Sequence, residues 1–217
     1  MNTDDRQTAR IVEALSAEHE SVRLKAALAA GTTPDTAMID TLVERCAVEP
    51  DFYVRDMLTW ALIRQLPEYT VPRLIEELAS DIAQARSQAL HTLSKVKDAS
   101  AWPSITRALL HDADDEVARS AWRAAVVLVP AGEEAGLAAD LAAQLGRGGR
   151  EMQRSLSRAL VALGEAAESV VKKATKSRAE AVRAHAKATE KLLRDPDADF
   201  DLAIDAAKRA FILGRQG

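Results

Sequence analysis

A single cysteine in 217 residues, Cys46, leaves this chain without an internal disulfide or a multi-thiolate zinc site. It reads as a small buried hydrophobe. Aromatic residues make up 4% of the chain, and none falls between 147 and 194, which argues against stacking unpaired bases on that stretch. No apolar run approaches the ~18 residues a membrane span needs. The opening Met-Asn-Thr-Asp-Asp-Arg is acidic and lacks the apolar stretch of a signal peptide, so the expected compartment is the cytoplasm. Chemical motifs are also scarce. His19, His91, His111 and His185 do not have metal-ligand spacing. Gly146-Arg-Gly-Gly149 follows an expected helix rather than a strand, so it does not read as a phosphate cradle. No nucleophile stands with a base in a recognisable motif. The expectation from these absences is a non-catalytic chain with no cofactor and no metal.

What is present is helix-forming and unevenly charged. Apolar residues make up 47% of the chain, chiefly Ala, Leu and Val; Ala and Leu are strong helix formers, and small side chains let helices pack closely. The net charge is −4, which alone disfavours a dedicated nucleic-acid binder. That average hides an asymmetry. Residues 1–146 hold 14 Lys+Arg against 23 Asp+Glu, a net of −9. Residues 147–194 hold 12 against 5, a net of +7, and residues 195–217 hold 3 against 5, a net of −2. A basic stretch beside an acidic body can steer an anionic partner or dock on the acidic end of another copy.

The charged residues also mark a period. Arg23, Arg55, Arg86, Arg119, Arg154 and Arg183 are separated by 32, 31, 33, 35 and 29 residues, the spacing of a helix–turn–helix repeat. Valine immediately precedes three of them, at Val22, Val54 and Val182. Glu18, Asp51, Asp81 and Asp114 lie four or five residues before the first four, where an acid can cap the second helix of its unit. Gly149 and Arg178 stand there in the last two units. All seven prolines fall at or near expected helix ends or first turns, and Gly31 and Gly164 where second helices should stop. The pattern predicts helices over 4–16, 20–30, 35–48, 52–65, 70–79, 82–96, 100–111, 115–129, 133–145, 150–163, 166–176, 179–193 and 198–213. Asp4, Asp5, Arg6, Arg10 and Glu13 make the first polar on one side, as an end cap requires. Phe200, Leu202, Ile204 and Phe211 give the last segment an apolar side for a closing helix.

The unit with the fullest pattern, from Ala89 to Ala125, carries Asp98, Ala101, Pro103, Ile105, Leu109, Asp112, Asp114, Val117 and Arg119. In these positions it resembles the bacterial HEAT-like repeat also found in phycobilisome lyases. The resemblance implies one all-α solenoid of about six repeats, at 4–31, 34–66, 67–97, 98–130, 131–164 and 165–194, with a closing helix in 195–217. Such arrays are stabilised by stacking between neighbours. It also implies that the six arginines form a structural ladder, paired with acids of their own or the adjacent repeat, and that the second helices line a concave face where another macromolecule is held.

Counting four residues on from each ladder arginine gives Ala27, Thr59, Leu90, Arg123, Arg158 and Lys187, so the last three units share a cation in one column. Ser120 and Ser155 flank it, Lys191 lies one turn further on, and Trp60 and His91 hold the next position in the middle units. The candidate binding residues are therefore Trp60, Arg64, His91, Lys95, Arg123, Arg158, Lys187 and Lys191, with Asp56 and Ser87 beside them. The expected partner is another protein, with an acidic one the sharper version. The alternative is a nucleic-acid backbone held through the basic third. Two enzymes stand behind these: a bilin lyase, implied by the repeat type alone, and a HEAT-like DNA glycosylase, for which Trp60 follows Asp56 by one turn but the clustered Trp-Trp-Asp segment is missing. Trp102 and Trp122 read as packing between repeats.

Overall fold

The computed structural model describes residues 3–195 and 198–214, with side chains from 6 to 195 and from 198 to 208. The side chains of Asp4, Asp5 and Phe211, singled out above, and Pro196, one of the seven prolines, lie outside the described residues. Among the described residues every regular element is helical. The chain divides into two compact units, Met1–Leu109 and Leu110–Gly217.

The N-terminal unit contains α1 (Thr3–Ala14), α2 (Glu20–Thr32), α3 (Ile39–Val48), α4 (Phe52–Ile63), α5 (Pro67–Glu77) and α6 (Ala83–Val96). The second helices stack on one another, α2 on α4 and α4 on α6, while α3 packs on α5. Leu42, Leu58, Leu62, Leu74, Leu90 and Leu93 fill the space between the layers, fully buried. After a short helix, α7 (Arg107–Leu110), the C-terminal unit runs α8 (Asp115–Leu128), α9 (Glu134–Ala142), α10 (Arg150–Ala162), α11 (Glu165–Ala174), α12 (Glu180–Arg194) and α13 (Phe200–Gly214). Here α8, α10 and α12 form one layer and α9 with α11 the other. Its core is led by Trp122, Leu141, Leu156 and Leu160. This is the all-α pattern of paired helices expected from the sequence.

Side-chain caps explain some helix starts. Asp51 accepts from Val54 N at 2.9 Å, and Asp114 from Glu116 N and Val117 N at 2.9 and 3.1 Å, so each satisfies first-turn amides that have no partner inside the helix. Glu18 and Asp81 were expected to do the same and do not. Their helices begin one residue later, placing His19 and Ile82 at the cap without a side-chain bond. At the second of these, Ser80 Oγ accepts from Ile82 N instead, at 3.2 Å.

Two expectations about proline are corrected. The helix over 100–111 is broken: 99–104 is a tight 3-10 turn with Pro103 inside it, Ile105 leaves helical geometry, and only Arg107–Leu110 resumes it. Proline lacks the N–H that an α-helical ladder would use at that point. Helix α5 starts earlier than expected, at Pro67, which puts Pro72 inside the helix rather than in its first turn.

Gly31 lies within α2, one residue before its end, and its absent side chain makes room for Trp60. A Cβ there would come within 2.1 Å of Trp60 Cζ3 and 3.0 Å of Ala61 Cα. Trp60 is 37% exposed, so one part of the indole is seated on α2 while another faces solvent. Trp122 is fully buried and donates from Nε1 to the Leu110 carbonyl at 2.8 Å, as a buried indole requires.

Candidate functional site

The six periodic arginines serve mainly the turns between paired helices. Arg23 Nη1 donates to the Ala17 and Glu18 carbonyls at 3.0 and 2.6 Å. Arg55 Nη1 reaches Glu49 O and Pro50 O at 2.9 and 2.7 Å, and Arg86 Nη1 reaches Ser80 O at 2.8 Å. Arg183 Nη1 donates to Ser177 O and Arg178 O at 2.5 and 3.3 Å. In these units a guanidinium at the start of the second helix binds carbonyls five or six residues back, which the ending first helix leaves without amide partners. Arg119 and Arg154 pair instead with acids one turn before them, Glu116 at 2.7 Å and Glu151 at 3.1 Å. In Arg119's unit the carbonyl role passes to Arg147, whose Nη2 lies 2.6 Å from Asp112 O and 2.8 Å from Asp115 Oδ1.

A carboxylate crosses between repeats at Arg23. Its Nε and Nη2 hold both oxygens of Glu49 at 2.7 and 2.8 Å, with Arg45 adding a third donor at 2.8 Å and Asp51 N a fourth at 3.0 Å. Glu49 is completely buried. Burial pushes its pKa up, but the bonds from Arg23, the Asp51 amide and Arg45 outweigh that and hold it at about 2. This is a structural clamp between α2 and the end of α3. Cys46, one turn back on α3, is buried, and burial pushes its thiol up to about 12, leaving it an inert hydrophobe.

The candidate binding residues divide four and four between the units. In the N-terminal unit, Arg64 lies over the Trp60 ring at 6.0 Å from its centroid, within cation–π range. His91 is half-buried and Lys95 exposed. Asp56 is exposed, while Ser87 is buried and turned inward, its hydroxyl donating to Gln84 O at 3.1 Å, which removes it from any surface. In the C-terminal unit, Arg123, Arg158, Lys187 and Lys191 are all exposed on the stacked second helices α8, α10 and α12. Arg123 donates to Ser120 Oγ at 2.9 Å, and burial of part of its length, with Arg119 nearby, lowers its pKa. Arg158 lines an open pocket of about 430 Å³ with Arg154, Val161, Leu192 and Phe200.

A buried polar cluster in the same unit escaped the sequence reading, which treated His185 as solitary. His185 is completely buried. Its Nδ1 accepts from Gly146 N at 3.0 Å, so the ring proton sits on Nε2, which donates to Gln153 O at 2.9 Å. Ser157 Oγ lies 3.0 Å from Nε2 and 2.8 Å from Thr189 Oγ1, and Thr189 donates back to His185 O at 3.0 Å. Gly146 has φ +88, and a Cβ there would press to 3.0 Å from Val182 N, so the turn that delivers this amide calls for glycine twice over. Burial lowers the His185 pKa to about 4. The cluster ties α10 and α12 to the turn before α10. Nothing in the spacing of Gly146, Gln153, Ser157, His185 and Thr189 groups them in the sequence.

The closing helix docks on this layer. Phe200, Ala203 and Ile204 of α13 pack on Ala188 and Leu192 of α12, with Val161 of α10 at the margin. Asp201 and Asp205 pair with Arg150 at 3.5 and 2.7 Å, and Asp201 with Arg154 at 2.5 Å. Part of the basic stretch is thus neutralised within the unit.

No family model matches the chain, and no curated protein matches it. Among solved structures it is similar to a chain in the complex of CpcE and CpcF of phycocyanin lyase from Nostoc sp. PCC7120, at 16% identity and a TM-score of 0.40, covering 94% of each chain. The expectation of a non-catalytic chain is corrected on this finding: the protein it is similar to is part of a lyase, so the exclusion of an enzyme is withdrawn. A likeness of that strength assigns no activity to this chain. Among the described residues no helix is long and apolar enough to cross a membrane.

Proposed function

We propose that this protein is a protein-interaction module that binds an acidic segment of a partner along the exposed side of α8, α10 and α12. The observation that supports this reading is a contrast among cations. Arg23, Arg147 and Arg150 and their kind are tied to carboxylates or carbonyls. Arg123, Arg158, Lys187 and Lys191 stand exposed on adjacent second helices with no ion pair among the described residues. Four exposed positive charges on adjacent second helices would raise the local concentration of an anionic partner and orient it.

The test replaces all four with Glu and compares affinity capture from the native cell. The wild-type chain retains a partner that the R123E/R158E/K187E/K191E variant loses, while helical circular dichroism is unchanged. Capture that survives the substitutions refutes the assignment. A nucleic-acid backbone is the competing ligand. It requires retardation of duplex DNA or RNA that weakens steeply as salt is raised, because releasing phosphate counterions into higher salt gains less free energy, so a shift of that kind would transfer the face to phosphate.

A further inference from the structure

The pocket of about 430 Å³ in the C-terminal unit has the size of a small-molecule site, near the lower end of the usual range of roughly 300–1,000 Å³. One stripe of α10 supplies Arg154, Arg158, Val161 and Ala162, while Leu192 of α12 and Phe200 of α13 complete the walls. The apolar part is fixed by packing. Leu192 and Phe200 are 7% and 6% exposed and belong to the cluster that seats α13 on α12, with Val161 and Ala198 packed against it. The cavity therefore has a preformed apolar wall beside a helix that carries cations.

Four charged side chains line it, Arg154, Arg158, Asp199 and Asp201, and three of them are already engaged. Arg154 pairs with Glu151 at 3.1 Å and with Asp201 at 2.5 Å. Asp201 also faces Arg150 at 3.5 Å. Asp199 Oδ1 accepts from Asp201 N and Leu202 N at 2.8 and 3.1 Å, capping the first turn of α13. Arg158 is exposed and has neither an ion pair nor a hydrogen bond among the described residues. Its counterpart on α8 differs. Arg123 donates to Ser120 Oγ, three residues back, whereas Ser155 stands three residues before Arg158 and no bond joins them.

We infer that this pocket binds a small monocarboxylate with a compact apolar body, its carboxylate on Arg158 and its body against Val161, Ala162, Leu192 and Phe200. A guanidinium is a planar fork that matches a carboxylate with two parallel hydrogen bonds, and Arg158 is the lining cation with none of its donors in use. The apolar wall selects a ligand whose charge and hydrophobic part are adjacent. Asp199 and Asp201 line the same cavity, so a second negative charge on the ligand meets repulsion that a single carboxylate at Arg158 escapes. The site goes beyond the partner-binding reading and shares Arg158 with it.

The experiment titrates the purified, ¹⁵N-labelled full-length protein with sodium octanoate and follows its amide chemical shifts. Saturable shifts centre on residues 154–162, Leu192 and 198–201. Acetate, which lacks the apolar body, octanamide, which lacks the charge, and octyl phosphate, which carries more of it, each bind about ten-fold more weakly or worse. Arg158→Gln, an exposed substitution, weakens octanoate about ten-fold, and Arg158→Lys recovers part of the loss. Ala162→Trp fills the cavity while keeping the guanidinium, and it weakens octanoate to a similar degree. Lys172→Gln, the same loss of charge on α11, changes nothing. No saturable shift, shifts centred on Phe52, Tyr53 and Trp60, or an equal loss in Lys172→Gln overturns the inference, and octyl phosphate binding as tightly as octanoate overturns the choice of a monocarboxylate. Partner capture that depends on Arg123, Arg158, Lys187 and Lys191 without any octanoate shift removes the pocket and keeps the face. Octanoate binding without such capture keeps the pocket and removes the face.

Discussion

Glu49 closes the end of α3 in the N-terminal unit, and His185 lies within α12 in the C-terminal unit. Each is completely buried, and each is bonded to a turn that precedes a second helix. The N-terminal unit puts a charged carboxylate there and surrounds it with two guanidinium groups and an amide. The C-terminal unit puts a neutral imidazole there and satisfies it with an amide, a carbonyl and a hydroxyl. The difference follows from the arginines. Where Arg23 and Arg45 converge, a buried acid is stabilised more by their bonds than it is penalised by desolvation. In the C-terminal unit, Arg147 and Arg154 are engaged at the surface, so the interior is sealed with uncharged groups, and the cations of α8, α10 and α12 stay outside. A clamp that consumes its charges and a scaffold that displays them are two outcomes of one repeat.

The largest expected effect breaks the first clamp. Glu49→Ala leaves Arg23, 6% exposed, as a buried cation without its carboxylate, and should cost about 3–5 kcal/mol in urea unfolding. The corresponding change in the C-terminal unit, His185→Leu, strands only neutral groups and should cost less.

Acid separates the units next. The folded pKa of His185 lies near 4, below its ordinary value of 6.5. Between those values the unfolded chain takes up a proton that the folded one refuses, so stability falls as pH drops from about 6.5 to about 4, by roughly 3 kcal/mol. Glu49 also has a lowered pKa, about 2 against 4.5. Its contribution is intact above pH 4.5 and is lost as pH falls toward 2, by a similar roughly 3 kcal/mol. Amide exchange followed by mass spectrometry should therefore show residues 110–208 loosening first on acidification and residues 6–109 only below about pH 4.5. Simultaneous loosening from pH 6.5 would contradict the contrast.

Smaller effects sharpen it within each unit. Asp51→Ala and Asp114→Ala remove observed caps and should each cost about 1 kcal/mol, whereas Glu18→Ala and Asp81→Ala, one residue short of the cap, should stay within about 0.5 kcal/mol. Thermal unfolding of the four variants checks this ordering.

The period of the arginines made the pairing of helices legible, because side chains serving equivalent turns must recur at the length of a repeat. What spacing cannot supply is the identity of their partners. A carbonyl acceptor leaves no mark in the sequence, so the bonds that Arg55, Arg86 and Arg183 make to backbone oxygens could not be read from it. The exchange of roles between Arg119 and Arg147 spans 28 positions and depends on how one turn approaches another. Pro103 could be placed near a helix end, but whether the chain resumes an α-helix after it is settled by packing. The His185 cluster was hidden for the same reason: its partners Gly146, Gln153, Ser157 and Thr189 come from three elements, and each is unremarkable alone. The cation column was visible because it needs only the repeat register and solvent exposure, both of which a one-dimensional pattern carries.

The most direct test of the proposed face compares amine acetylation of the full-length protein in its native cell extract with that of the purified chain, read lysine by lysine by mass spectrometry. A partner on α12 shields Lys187 and Lys191 in the extract, while Lys172 and Lys173 on the opposite layer and Lys25 in the N-terminal unit react equally in both samples. Equal modification of Lys187 and Lys191 with and without the extract, or protection confined to Lys172 and Lys173, would contradict binding along the second helices.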